Sequence, residues 1–273
     1  MLFVSHSAAM FGAERSLLLL LRNIDRTHFD PIVVLPASGY LEKEIEHLNI
    51  KIYRVKCPWW VRGRRNSLWS ILQFGYSMLL GALALPRLCR IIKHEQIDAV
   101  YTNTIVIFSG AISAFITRTP HIWHIREILP GNPDLHSFLP TKWVLQFVLK
   151  YSSVVIPNSN GTACQFQQSK LKERLRIIYN AVDLKEFLVS SPSLNIDGVN
   201  FADWLVAVVG TLQRRKAQDD AIRALKTVEK EIPNIRLLLI GEGGKHFTNY
   251  LKQMVSQLRL NGKVLFTGYR DDV

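Results

Sequence analysis

Short apolar runs rich in β-branched side chains alternate along this chain with longer stretches whose apolar positions recur every three or four residues. The runs LFVSH (2–6), PIVVLP (31–36), KIYRV (51–55), DAVYTN (98–103), HIWHIRE (121–127), SVVIPNS (153–159) and RIIYNAV (176–182) predict strands. Between them ERSLLLLLRNI, the 68–93 stretch, SGAISAFIT and TKWVLQFVLK predict helices. Strand and helix in turn build right-handed βαβ units, so the expected class is α/β with a mostly parallel, doubly wound sheet.

After Phe187 the pattern lapses into LVSSPSLNIDGVN, a Ser/Pro/Gly/Asn stretch that reads as a linker over 188–202. A fresh series then opens with WLVAVVG, a helix from about Asp219 to Lys230, IRLLLIGEG, a helix from about Lys245 to Leu258, and KVLFTGY. The expected organisation is therefore a first Rossmann-like domain over 1–187 and the first part of a second one over 203–273. Because the series stops in mid-pattern at RDDV, the second domain is expected to be truncated and the chain to be part of a longer protein.

Composition narrows the function classes. With 48% hydrophobic residues the chain is globular, and 34 Lys+Arg against 22 Asp+Glu call for an anionic partner. Three cysteines, far apart and without a Cys-x-x-Cys pair, fit a reducing compartment such as the cytoplasm. The apolar N-terminus lacks a basic n-region, so no signal peptide is expected. The charge is uneven: no acidic residue occurs from His47 to His94, while Lys51, Arg54, Lys56, Arg62, Arg64, Arg65, Arg87, Arg90 and Lys93 all fall there. Inside that window LWSILQFGYSMLLGALAL (68–85) carries no charge. Three readings stand: a helix lying on an anionic membrane, a buried crossover helix with a basic face, and a transmembrane span. The window also bears Trp59, Trp60 and Trp69, read as pointing to a membrane-bound acceptor. Nucleic acid is not expected, because the charge sits beside an apolar helix without an aromatic stacking platform.

Candidate chemistry clusters where strands hand over to helices, the ligand side of a doubly wound sheet. In AVVGTLQRRKAQDDAIRAL, Gly210 ends a strand and Arg214, Arg215 and Lys216 precede a helix. A helix N-terminus favours an anion by about 0.3–1 kcal/mol, and each hydrogen bond from Arg or Lys to phosphate adds about 1.5–3 kcal/mol. Together they would hold a diphosphate; a solvated basic turn is the plain alternative. HSAAMFGAERS places Gly12 and Glu14 at a second such handover. In HIWHIRE a strand's period of two puts His124 and Arg126 on one face, with His121 and Trp123 on the other. LLLIGEGGKHF fails both the Walker and the G-x-G-x-x-G spacing, and no Asp-x-Asp occurs to present a divalent metal.

Six segments, in order, resemble the GT-B-fold retaining glycosyltransferases of family four. HSAAMFGAERSLLLLL is similar to the family's N-terminal glycine loop, and HIWHIRE to its strand ending in a functional histidine. VIPNSNGTACQF and IIYNAVDLKEF resemble the strand and turn before its linker. VVGTLQRRKAQDDAIRAL resembles the segment that grips the donor diphosphate, and LLLIGEGG with VLFTGYRDDV continues the second domain. The resemblance implies a retaining, metal-independent hexosyltransferase. It would use a nucleoside-diphosphate sugar as co-substrate, with no other cofactor, and a saccharide or lipid-linked acceptor in polysaccharide synthesis. The protein would be cytoplasmic, peripheral on the inner face of the membrane through 51–93. The resemblance also implies His124 and Lys216 as catalytic residues. Gly12, Thr211, Arg214, Arg215 and Lys216 would lie at the donor diphosphate, Gly210, Gly241 and Gly243 near the nucleotide, and Glu14 and Arg126 on the acceptor side. Thr211 replaces the family's Arg, and Phe11, Ala181 and Ala217 replace glycines. The family's Glu-x7-Glu motif is expected beyond Val273, so the chain alone is expected to be inactive. A non-catalytic nucleotide-sugar-binding membrane module and a GT-B-fold sugar epimerase remain as alternatives.

Overall fold

The computed structural model describes residues 1–273 except 62–67, 133, 134, 136, 168–170, 188–195, 197, 201 and 271–273, and except the side chains of 68–70, 186 and 187. Arg62, Arg64, Arg65, the side chain of Trp69, most of the linker and the final Asp-Asp-Val therefore lie outside the described residues. The chain forms two compact units, Met1–Phe187 and Leu188–Val273.

In the first unit the elements are β1 (Leu2–Ser5), α1 (Gly12–Asn23), β2 (Ile32–Leu35), α2 (Tyr40–His47), β3 (Lys51–Arg54), α3 (Leu68–His94), β4 (Val100–Asn103), α4 (Ser109–Thr117), β5 (His121–Ile125), α5 (Thr141–Lys150), β6 (Val154–Pro157), α6 (Asn160–Cys164) and α7 (Leu184–Phe187). The six strands form one parallel sheet in the order β3-β2-β1-β4-β5-β6. The order reverses between β1 and β4, where such sheets open a crevice at their carboxyl edge. Helices cover both faces, which is why β1, β2 and β4 are buried at every position instead of alternating. Phe3, Val33, Leu35 and Tyr101 pack under α1 and α2; Leu2, Val4, Val34, Val100 and Trp123 pack under α3, α4 and α5. Gly81 is needed in α3 because a Cβ there would lie 2.5 Å from the Phe108 ring just before α4.

Two expectations are corrected here. RIIYNAV is not a strand: Leu175 makes one bridge to Val155, and Arg176 and Ile178 donate to the carbonyls of Val155 and Pro157 before pairing stops. Its apolar side chains Ile177, Ile178, Tyr179 and Val182 stay exposed, so no covering layer holds it as a seventh strand. Trp59 and Trp60, read as pointing to a membrane-bound acceptor, do not form an exposed aromatic face that would carry that reading. Trp60 is buried against Phe108, Trp123 and Phe147 and donates to the Ile105 carbonyl at 2.7 Å. Trp59 is half-buried and donates to the His6 carbonyl at 3.2 Å.

The second unit has β7 (Trp204–Val209), α8 (Gln218–Val228), β8 (Ile235–Ile240), α9 (Lys245–Gln257) and β9 (Val264–Gly268), with a parallel three-stranded sheet ordered β7-β8-β9. Leu237 and Leu239 pack with Ile222 and Leu225 of α8 and Leu251 and Val255 of α9. Trp204, Val206 and Val209 of β7 are exposed.

Candidate functional site

Within the first unit, the carboxyl ends of β1, β4 and β5 bring a polar cluster together. Arg126, just past β5, is its hub. Its Nε donates to Asn103 Oδ1 at 3.0 Å, Nη1 to Asn180 Oδ1 at 2.7 Å, and Nη2 to His124 Nδ1 at 3.3 Å. The Tyr101 hydroxyl also donates to His124 Nδ1. These bonds fix the tautomer. A guanidinium can only donate, so Nδ1 is an acceptor and the ring's proton sits on Nε2. That Nε2 is buried and has no hydrogen-bond partner among the described residues. Burial, and then the Arg126 charge, pushes the imidazole down to about 3, so it is neutral at pH 7. His124 is thus a neutral imidazole with a free Nε2–H, and its low pKa and occupied Nδ1 make it a weak base.

Glu14, in the first turn of α1, is almost wholly buried; its Oε2 accepts the Phe11 N–H at 3.2 Å and its Oε1 lies 3.3 Å from His6 Nε2. His6 stacks obliquely on Trp59 at 5.3 Å, and its Nδ1 is buried with no hydrogen-bond partner among the described residues. Burial lowers its pKa and outweighs the raising effect of Glu14, so it too is neutral at pH 7. At Gly12 a Cβ would meet nothing within 4 Å, so the fold does not itself demand glycine. The space belongs to a groove of about 510 Å³ lined by Met10, Gly12, Arg15, Ser16, Asn180 and Asp183. Asn180 is shared with the Arg126 network. Thr104, past β4, is held at φ 96, a strained conformation for a β-branched residue that is common at functional sites.

Of the residues anticipated in this unit, His124, Arg126, Glu14 and Gly12 all lie at this edge. His6, Tyr101, Asn103 and Asn180 were missed. His6 alone had a signal, since it follows the first strand beside the crevice. His121 points away: its Nε2 meets Thr102 Oγ1 at 2.8 Å and its Nδ1 Ser152 Oγ at 3.2 Å, inside the core.

The second unit carries its own cluster at the carboxyl ends of β7 and β8. The loops after these strands clasp each other through Leu212 N–H to the Glu242 carbonyl at 2.9 Å and a Leu212–Gly243 bridge. The glycines make that clasp possible. A Cβ on Gly241 would lie 2.2 Å from the Gly210 carbonyl oxygen, and one on Gly243 2.4 Å from that of Leu212. Buried Gln218 braces the loop, donating to the Thr211 carbonyl at 3.0 Å and accepting the Gln213 N–H at 3.3 Å.

The three cations form a 3-10 turn, Arg214–Lys216, and then diverge. Lys216 folds its alkyl chain back over Gly210, with Cε 3.7 Å from where a Cβ would stand. Arg214 lies over the Tyr250 ring at 5.8 Å, and Arg215 Nε donates to Gln213 Oε1 at 2.9 Å. Thr211 is exposed. The first turn of α8 already holds Asp219 and Asp220, paired with Arg223, so its dipole is partly answered from within. Ala217, ahead of α8, sits at φ 54, where a Cβ costs about 1–2 kcal/mol. Ala217→Gly is therefore expected to stabilise this unit by up to about 1 kcal/mol after its greater unfolded-state entropy is counted, read as a higher denaturation midpoint; a lower midpoint would contradict the strain.

A family model described as Glycosyltransferase Family 4 matches residues 11–186, and one described as Glycosyl transferases group 1 matches 195–273. An uncharacterized glycosyltransferase of Methanocaldococcus jannaschii is 26% identical over 128 residues, 45% of this chain and 31% of that protein, so the match spans under a third of that relative. Among solved structures, Anabaena HepE in complex with UDP-glucose is similar over 99% of this chain and 69% of that one, at 23% identity and TM-score 0.71. The apo lipopolysaccharide outer core galactosyltransferase WaaB is similar over 99% and 68%, at 14% identity and TM-score 0.66. These structural likenesses establish a fold: two parallel-sheet α/β units of the GT-B type, the second one short.

Proposed function

The chain belongs to Glycosyltransferase Family 4, and from that membership we propose that it moves a sugar, a hexose in this reading, from a nucleoside-diphosphate sugar to an acceptor hydroxyl with retention of anomeric configuration. The donor class is supported by the nucleotide-sugar complex of HepE. The observation that carries the reading is Lys216 folded over Gly210 at the carboxyl end of β7, where a donor diphosphate would meet backbone and cation together. Arg214, Arg215 and Thr211 complete the diphosphate side, with Gly210, Gly241 and Gly243 near the nucleotide. His124 Nε2–H donates to a sugar oxygen, Gly12 lets the backbone approach the donor diphosphate, and Glu14 and Arg126 shape the acceptor side.

In the reaction the bond from C1 to the diphosphate oxygen breaks and its electron pair leaves with the diphosphate. The acceptor oxygen bonds to C1 on the same face, and its proton passes to the departing phosphate oxygen. Cationic side chains neutralise the leaving group in place of a divalent metal, consistent with a sequence that lacks Asp-x-Asp. The acceptor is a saccharide or lipid-linked precursor of a polysaccharide, used at the cytoplasmic face of an anionic membrane; the acid-free stretch 47–94 supports that location.

Calorimetric titration with UDP tests the donor side. Lys216→Ala should weaken binding about 10- to 100-fold, the loss of one charge-assisted contact. Unchanged affinity would remove Lys216 from the site.

A further inference from the structure

The geometry points to the outer face of α3 as the surface by which this protein lies on an anionic lipid bilayer, which deepens the membrane part of the function proposed above and rests on it. Helical spacing divides the side chains of 71–94 into two clean arcs. Ser77, Gly81, Ala84, Leu88, Ile91 and Ile92 face the core, and Leu88 is fully buried. The opposite arc, roughly 160° wide at 3.6 residues per turn, stays exposed. Its first turns are apolar: Ile71, Leu72, Tyr76, Leu79 and Leu83 are each more than half exposed. Its last turns are cationic, with exposed Arg87, Arg90 and Lys93. Among the described residues, Ile71–His94 is a helix long and apolar enough to cross a membrane, yet its inner arc is committed to the domain core, so it can only lie flat.

Charge decides the occupant. No carboxylate occurs from residue 47 to 94, and two basic residues of that window are already answered elsewhere. Lys51 Nζ lies 2.8 Å from Glu95 Oε1, and Arg54 Nε 2.7 Å from Glu42 Oε1. Arg87, Arg90 and Lys93 thus continue an apolar stripe into a positive end. A second copy docked antiparallel would set these cations on the partner's Ile71 and Leu72, and one docked parallel would set cation against cation. A bilayer accepts both halves at once: acyl chains take the stripe and anionic headgroups take the arginines.

Co-sedimentation with phosphatidylcholine vesicles, with and without phosphatidylglycerol, tests this on the whole chain. The wild type should bind the anionic vesicles more tightly, with affinity falling as salt rises. The triple variant Leu72→Ser, Leu79→Ser, Leu83→Ser should lose at least roughly tenfold in partition, since it strips apolar area without touching the inner arc. Arg87→Gln with Arg90→Gln should lose about tenfold on anionic vesicles and little on neutral ones. Vesicle binding by the triple variant equal to wild type would overturn the assignment. So would a wild-type dimer in light scattering that the triple variant converts to monomer without any vesicle binding. UDP titration of the wild type without vesicles separates the two ideas: absence of UDP binding refutes the donor reading and leaves this surface standing.

Discussion

Gly241→Ala is expected to unfold the second unit. At φ 136 the residue occupies a region that side chains rarely adopt, and the added methyl would stand 2.2 Å from the Gly210 carbonyl oxygen. Neither atom can swing aside, because Gly241 N–H is bonded to the Gly268 carbonyl at 2.7 Å and Gly210 N–H to that of Ile240 at 2.8 Å. Strained backbone and overpacking each cost about 1–3 kcal/mol, so the sum is on the order of 4 kcal/mol, a large part of what holds any small unit together. Gly244 supplies the contrast: its Cβ position is open and its backbone ordinary, so Gly244→Ala should stay within about 0.5 kcal/mol of wild type. Hydrogen exchange at Leu237–Leu239 would report the difference. Native protection at those amides in Gly241→Ala would mean that the clasp between the two loops is not a structural requirement.

The same glycines show where sequence reading stops. IGEGG invites a ligand explanation, because a glycine at a strand end can admit a phosphate. The loops show a prior demand: Gly241 and Gly243 are required by each other's neighbours before any ligand arrives. Strand positions were legible to within three residues, most directly for β1, β2 and β8, where burial leaves nearly unbroken apolar runs. RIIYNAV carries the same signal and fails, because an apolar run does not say whether anything is there to cover it. Trp59 and Trp60 were misplaced for a related reason. The tripled pattern of tryptophan and arginine looks superficial in one dimension, whereas the chain after β3 turns inward until Trp60 N–H reaches the Val106 carbonyl at 3.0 Å. In the site itself, His124 and Arg126 could be paired by strand period alone. Tyr101, Asn103 and Asn180 join them only through crossovers spanning 23 to 54 residues, which leave no local trace.

That long-range character makes Arg126→Met the most informative change in the first unit. Three acceptors, Asn103 Oδ1, Asn180 Oδ1 and His124 Nδ1, lose a donor at once. Only Asn103 Oδ1 is both buried and left without another donor, because Asn180 is exposed and His124 Nδ1 keeps the Tyr101 hydroxyl. Stranding it costs about 1–3 kcal/mol, partly offset by no longer burying a guanidinium, so a net loss of about 1–2 kcal/mol is expected. The pH dependence reports on His124, together with His6, whose lowered pKa also has an Arg126 contribution. Its folded-state pKa is pushed down to about 3, first by burial and then by Arg126, whereas the unfolded value is near 6.5. Unfolding therefore takes up a proton between those values. Stability is fully present above pH 6.5 and falls by about 1.4 kcal/mol per unit as the pH drops toward 3. Removing Arg126 leaves burial, the larger cause, so the folded pKa rises only part of the way toward 6.5 and the variant's acid loss levels off at a higher pH. His121, held near 3 by burial alone, keeps its share in both proteins and serves as an internal reference. Denaturant midpoints at about pH 6, 5, 4 and 3 locate where the loss levels off, and imidazole nitrogen shifts read the His124 tautomer directly. If the two proteins level off at the same pH and Nε2 stays protonated, Tyr101 alone sets the ring, and Arg126 positions Asn180 beside the groove of α1 instead.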